Sequence, residues 1–458
     1  REGAAPAPAA FDLTLLPGLG RFLRWPRASQ AMRMALLVVA ALMIAHGLAG
    51  PRLSPNNMAT VLTWLHFRGL LVLGLLLAGN WFCMACPFIL VRDAARGLAR
   101  RLLGVGWSPR FRWPRLLRRK WLARVLFVLV LFVNELADLW ARPAWTAGFI
   151  LCYFVGAASF GLLFRGAPFC GGVCPLGQFN LISSLVSPLE VRVREARVCE
   201  ECPTHDCIRG GARGPGCELD LFQPQKAGNL NCHFRLDCLR ACPYDNVGIM
   251  GRLPAGELWI DPWRSGVGRF SSRPDVAALI VVYTFGALLN AFGMVSPIYA
   301  LEEWLAALMG AAAALARRLG RLDSGVLQTA ASYAYALVPL GLGIWAAHFS
   351  FHFLTGALTI VPVVQSALHD AGWSFVGRPR WDLGPIVPGG WLLPLEIGLM
   401  GLGWLGSLLV AYRISERVAP QRAWPAFLPW AGLLLMLLLL GIWLMSMPME
   451  MRGTFLEG

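Results

Sequence analysis

Twelve cysteines dominate the chemistry this chain could do, and eleven of them stand in short-spaced groups. The longest group reads C-x2-C-x4-C-x9-C-x14-C-x5-C-x3-C-P. Its members are Cys199, Cys202, Cys207, Cys217, Cys232, Cys238 and Cys242, closed by Pro243. Two pairs lie upstream, Cys83-x2-Cys86-Pro87 and Cys170-x3-Cys174-Pro175. Thiols clustered at such spacings point to metal ligation rather than to disulfides. A structural zinc would need only four of them. No Cys-x-x-Cys-His occurs, which excludes covalently attached c-type haem.

The Cys-Pro ending, the x5–x3 spacing and the odd count favour iron–sulfur over zinc. The two-cluster ferredoxin signature is C-x2-C-x2-C-x3-C-P used twice, with the last cysteine of each motif crossing to the other cluster. Cys232, Cys238 and Cys242-Pro243 fit the second motif, except that Arg235 stands where its second cysteine belongs. The first motif opens with Cys199 and Cys202. His205 holds its usual third place, Cys207 follows, and Cys217 is the natural fourth. Crossing then assigns Cys199, Cys202, Cys207 and Cys242 to one [4Fe–4S] cluster. It leaves Cys217, Cys232 and Cys238 for the second.

Resemblance to ferredoxins that lack the second cysteine implies a [3Fe–4S] cluster at that second site. A [4Fe–4S] cluster with a fourth ligand from His233, Asp237 or water is the alternative. Arg235 is a permanent cation and no ligand, but it could hydrogen-bond a sulfide and raise the potential. Cys83, Cys86, Cys170 and Cys174 together supply the four thiolates of a third cluster or a tetrahedral metal. The rival reading makes each pair a separate dithiol. Cys152 reads as core.

Histidines and acids within apolar stretches are the next candidates. His46 and His66 fall at matching depths on two successive spans, which suits a b-type haem, a quinone contact or plain packing. His348 and His352 share one helix face near the expected outer end of a span. They suit copper or zinc, two separate haems, a quinol site or plain interfacial histidines in the headgroup zone. Glu135, Asp138 and Arg68 are candidates for quinol proton chemistry or for ion pairing.

The elements that must hold these groups are mostly apolar. Of 458 residues, 57% are hydrophobic and 15% charged, with a mean hydropathy of +0.56. The net charge of +15 sits in short loops beside apolar spans. The positive-inside rule and anionic lipid explain it there, and no nucleic-acid partner is needed. The expected fold is an all-α polytopic membrane protein of about nine transmembrane helices, with an inserted small α+β domain, two-cluster ferredoxin-like.

The spans are expected at 32–50, 58–82, 121–140, 145–164, 276–296, 299–316, 326–354, 391–412 and 425–445, with a re-entrant or interfacial helix as the alternative for 299–316. Loop 90–124 carries eleven Lys/Arg against Asp93 alone and belongs on the cytoplasmic side. The expected divisions are a basic N-terminal segment 1–31, a four-helix unit 32–165, a cytoplasmic iron–sulfur domain 166–270 and a C-terminal unit 271–458. Residues 355–390 are expected to be an irregular outside segment. The chain begins at Arg1, so a true start upstream is expected. The first span is read as retained rather than as a cleaved signal peptide.

The stretch Phe169-Cys170-Gly-Gly-Val-Cys174-Pro175-Leu-Gly-Gln178, with the ferredoxin cysteines, resembles the NapH/NosR/FixG-type membrane ferredoxins over roughly residues 60–250. The Cys-x2-Cys form of the first pair, the missing ligand at Arg235 and the spans after residue 270 depart from that pattern. The resemblance implies a multi-pass protein of the bacterial inner membrane. It would relay electrons between cytoplasmic-face clusters and the quinone pool, or a metal or haem site near the outer face. Its partners would be other redox subunits or a periplasmic metalloprotein. A copper reductase or assembly factor of the FixG type and an anchoring subunit of a larger oxidoreductase are the alternatives.

Overall fold

Apolar segments in lipid must satisfy every backbone polar group internally, and helices do so within one segment. The computed structural model, which describes residues 11–114, 116–292 and 299–447, is accordingly about 70% helix. Six of its helical segments are long and apolar enough to cross a bilayer: Ala28–Ala49, Met58–Ala78, Pro143–Leu163, Val326–Asp370, Gly389–Val418 and Pro420–Ser446. The 22 residues of Ala28–Ala49 reach about 33 Å at the usual helical rise, matching a hydrocarbon core of about 30 Å. The chain is a multi-pass, mostly helical membrane protein. Trp121–Leu136 and Pro274–Phe292 are shorter, and Tyr299–Gly320 is a further helix. The expected end of a span at Ser296, residues 1–10 and residues 448–458 lie outside the described residues.

The first two spans form a tight antiparallel pair. Asn57 caps the second by accepting from Ala59 N, while its amide donates to His46 and Pro51 carbonyls. Gly47 lets Ala59 and Ala147 approach closely. The second span is π-helical over Val61–Phe67 and stops at Gly79, whose φ of 80° and ψ of −148° suit glycine alone. After the break come Trp81–Ala85 and then Pro87–Leu103. Loop 90–124 is therefore not all loop. Its first part is a helix packed along Pro143–Leu163, with Arg96 donating to the Gly161, Phe164 and Gly166 carbonyls.

Three other expectations are corrected. Residues 355–370 are not irregular: the helix from Leu337 runs through a tight turn into Ile360–Asp370. Pro362 is tolerated there because it falls in a first turn. His348 and His352 consequently lie near mid-bundle rather than at an outer end, since Gly69 of the second span is overlaid by Phe353. Cys152 is exposed on its helix, not core. Pro175–Ser183 packs its Phe179, Leu181 and Ile182 into one hydrophobic core that runs from Leu71 to Met445 and so unites both helical units.

The inserted segment proper follows Ser187. Its frame is a two-stranded antiparallel sheet, β1 (Leu189–Val193) on β2 (Val247–Gly251), with Val191 opposite Ile249. Residues 11–24 dock on this frame. Asp12 bridges to Met250, and Arg194 pairs with Asp12 at 2.8 Å. Short helices Ala196–Glu200, Asp206–Arg209 and Asp237–Ala241 complete it.

Candidate functional site: three cysteine cavities in a row

The Cys-Pro steps explain the local backbone. Proline forces the residue before it into extended geometry and is itself favoured at the first position of a helix. Cys86 and Cys174 are thus the N-caps of Pro87–Leu103 and Pro175–Ser183, with ψ of 120° and 111°. A thiolate there faces unpaired N–H groups and the positive end of the helix dipole. Gly177 N donates to Cys174 Sγ at 3.3 Å. Cys170 lies in the π-helical turn Phe169–Val173, and Cys83 on Trp81–Ala85.

These four thiols line one cavity whose other walls, His233 apart, are apolar, among them Phe82, Phe88, Ile89, Phe169 and Leu176. Asn180 donates its side-chain N–H to Cys83 Sγ at 3.4 Å. The cavity lies at the level of Gly156, on whose surface the Phe169 ring packs, and so within the helical bundle. Burial pushes the Cys83 thiol up to about 12 and raises Cys86, Cys170 and Cys174 as well.

In the inserted segment Cys199, Cys202, Cys207 and Cys242 line a second cavity, with His205 and Phe222. Cys217, Cys232 and Cys238 line a third, with His233, Arg235 and Asp237. One short helix sorts the two sets: Asp237–Ala241 carries Cys238 to one cavity and is capped by Cys242, which lines the other. Asn246 holds two thiols of the first set, donating N–H to Cys242 Sγ and Nδ2–H to Cys199 Sγ, both at 3.3 Å. Burial raises Cys207 to about 11 and Cys238 well up. At Cys202 burial raises the thiol, but hydrogen bonds from His205 and Thr204 together outweigh it, and the thiol is lowered.

Consecutive cavities share a wall. Gln223 lines both cavities of the inserted segment, and His233 lines both the three-cysteine cavity and the four-cysteine cavity in the bundle. Both side chains are buried, and Gln223 Oε1 and His233 Nε2 have no hydrogen-bond partner among the described residues. Burial holds His233 down at about 3, so its imidazole is neutral. Lys120 fixes the Cys170 turn from the other side, donating to Gly171 O at 2.6 Å and Gln178 Oε1 at 2.9 Å.

Arg235 lines the three-cysteine cavity. It pairs with Glu218 and, at 2.9 Å, with Asp237. Glu218 also binds Arg92 at 2.8 Å, tying the inserted segment to the Pro87–Leu103 helix. Asp237 is taken up by Arg235 and Arg240, which leaves His233 as the one unengaged candidate among the two side chains considered for a fourth ligand.

A fourth cavity, of about 360 Å³, opens beyond the first. It shares Phe82, Phe88 and Leu176 with the bundle cysteines and reaches Arg68 and Trp64 of the second span, Asn134 and Phe349. The Arg68 guanidinium lies between the Trp64 ring, 4.3 Å away, and the Phe349 ring, 5.2 Å away. Glu135 stands behind two of its lining residues, accepting from Asn134 at 2.9 Å and Asn290 at 3.5 Å. Asp138 sits in the following turn beside Arg142.

The paired-haem reading of His46 and His66 does not fit. His46 Nδ1 accepts from Met58 N at 3.1 Å, and both His66 nitrogens face carbonyls, Val61 O and Ala357 O. His348 and His352 stack edge-on at 4.9 Å. Among the described residues no group of three or more His, Cys, Asp or Glu side chains converges closely enough to hold a single metal ion.

The donor sets do suit iron–sulfur clusters by their chemistry: soft sulfur ligands, distributed round a cavity rather than on one point, with N–H groups aimed at sulfur. Asn180, Asn246, Gln223 and Lys120 escaped the sequence reading. Only Asn246, four residues after Cys242 in the Cys-Pro turn, carried a local signal. No family model matches the chain, and neither the curated proteins nor the solved structures contain a match to it.

Proposed function

We propose that this chain is a membrane electron-transfer protein. It would link iron–sulfur clusters of its inserted, ferredoxin-like segment to a lipid-soluble quinone in the bundle. The observation that carries the reading is the row of four cavities: eleven of the twelve cysteines face three of them, and shared walls join the Cys199 set to the three-cysteine cavity, that to the bundle cysteines and those to the Arg68 cavity. Clusters, when bound, pass single electrons at potentials set by charge and by hydrogen bonds to sulfur.

The chain's own groups would do the rest. Buried thiols must lose their protons to ligate, so loading would release protons. Asn180, Asn246 and Gly177 would hold the sulfurs by N–H donation. Arg68 would grip a quinone ring oxygen, held in place by two aromatic faces. Glu135, behind Asn134 and Asn290, would take or give the proton. The site thus stands at mid-bundle rather than near the outer face. In this reading Trp121–Leu136, Pro274–Phe292 and Tyr299–Gly320 also cross, giving nine spans and a cytoplasmic inserted segment. The four spans before the inserted segment and the segment itself are the part that resembles the NapH/NosR/FixG-type membrane ferredoxins; the spans after residue 270 are additional to that pattern.

The test is reoxidation of the reduced, purified protein by a short-chain quinone, followed by absorbance. Arg68→Gln is expected to slow it at least tenfold, the equivalent of roughly 1.4 kcal/mol, while leaving iron content unchanged. Equal rates in the two proteins would remove the quinone from the reading.

A further inference from the structure

His233 is 4% exposed and stands between two cysteine cavities. A buried ring nitrogen in a folded protein almost always has a hydrogen-bond partner, yet His233 Nε2 has none among the described residues. The polar neighbours that might have served it are engaged: Arg235 with Glu218 and Asp237, and Asp237 with Arg240. His233 lines the cavity of Cys83, Cys86, Cys170 and Cys174, and Lys120 holds the Cys170–Cys174 turn of that cavity through Gly171 O. The walls of that cavity are otherwise hydrocarbon and thiol.

We propose that His233 Nε2–H donates a hydrogen bond to sulfur of the group held by Cys83, Cys86, Cys170 and Cys174. His233 would be a positioning residue that raises the potential of this group and forms its shared wall with the three-cysteine site. The inference rests on reading the bundle cysteines as an iron–sulfur site. A donor aimed at sulfur favours the reduced form, which carries one more negative charge, so removing it favours the oxidised form. Hydrogen bonds to charged groups are strong enough that the loss is expected to shift the reduced-to-oxidised ratio at a fixed potential roughly tenfold. Ligation of the three-cysteine cluster is the competing role. His233 directly follows Cys232, however, and nothing on that side but the missing thiolate calls for it.

The test uses the full chain purified in detergent. It compares iron and acid-labile sulfide per chain with an EPR-monitored redox titration. Cys83→Ser identifies the signal of the bundle site by abolishing it. His233→Phe is expected to retain iron and sulfide and to lower the midpoint of that signal alone. His233→Gln, which keeps an N–H donor, is expected to restore part of the shift and guards against a folding defect of the apolar variant. An unchanged midpoint in His233→Phe overturns the proposal. So does loss of iron from the three-cysteine site, which would make His233 a ligand there. Absence of iron from the parent protein overturns the electron-transfer reading as well, a different and separable result.

Discussion

At the scale of single residues, the thiols of the bundle cavity are the most exacting feature. Burial keeps Cys83, Cys86, Cys170 and Cys174 protonated without a partner ion, and binding a cluster offsets that desolvation. Cys83→Ser and Cys174→Ser are each expected to remove the bundle cluster while leaving the two in the inserted segment. Iron analysis with EPR would show one signal lost and the others unmoved. Loss of all signals, or of none, would contradict three separate sites. The grouping of these cysteines was legible because Cys-Pro spacing dictates helix starts. The state of Arg235 was not legible. Its partner Glu218 is near Cys217 in sequence but meets Arg92 only through the fold. The same holds for His66, whose second nitrogen is taken by Ala357, 291 residues away.

At the scale of elements, the break after the second span decides where the cysteines can stand. Gly79 adopts φ of 80°, and a Cβ there would come within 2.7 Å of the Phe234 ring. Gly79→Ala is expected to destabilise the protein by about 1–3 kcal/mol, from backbone strain alone, and to displace Phe234 beside the three-cysteine site. Thermal unfolding and the EPR line shape of the second cluster would report the two effects. Unaltered values for both would show that the break is not set by this glycine.

The inserted segment itself is held by buried carboxylates. At Glu190 and Glu218 burial raises the carboxyl. Lys226 and Arg252 at the first, and Arg235 and Arg92 at the second, outweigh it, so both titrate below their ordinary 4.5. A depressed acid contributes stability that is full above its unfolded value and is lost as pH falls through the folded one. The segment is therefore expected to resist proteolysis above pH 4.5 and to loosen progressively below it, with release of iron. Unchanged protection on acidification would count against these pairs. Helix positions were readable from apolar runs. The helix through 357–370 was missed because Pro362 and the surrounding glycines look like breakers unless their place in a first turn is known.

At the scale of the whole molecule, the two helical units read as separate in sequence share one core from Leu71 to Met445, and Pro175–Ser183 plugs into it. That plug carries Cys174 at its cap and Phe179 against Tyr283 and Trp345. The cysteine cavity and the Arg68 cavity are therefore built by the same packing. Composition foretold a membrane protein. It could not foretell this union, which depends on contacts between residues more than a hundred positions apart. The central claim is that three thiol-lined cavities hold iron–sulfur clusters that form one relay. Iron and acid-labile sulfide analysis of the purified protein, combined with EPR of its oxidised and reduced forms, tests that most directly. The account predicts iron and sulfide sufficient for three clusters per chain, with interacting signals on reduction. A protein that binds no iron, or that binds zinc in the same thiols, would contradict it.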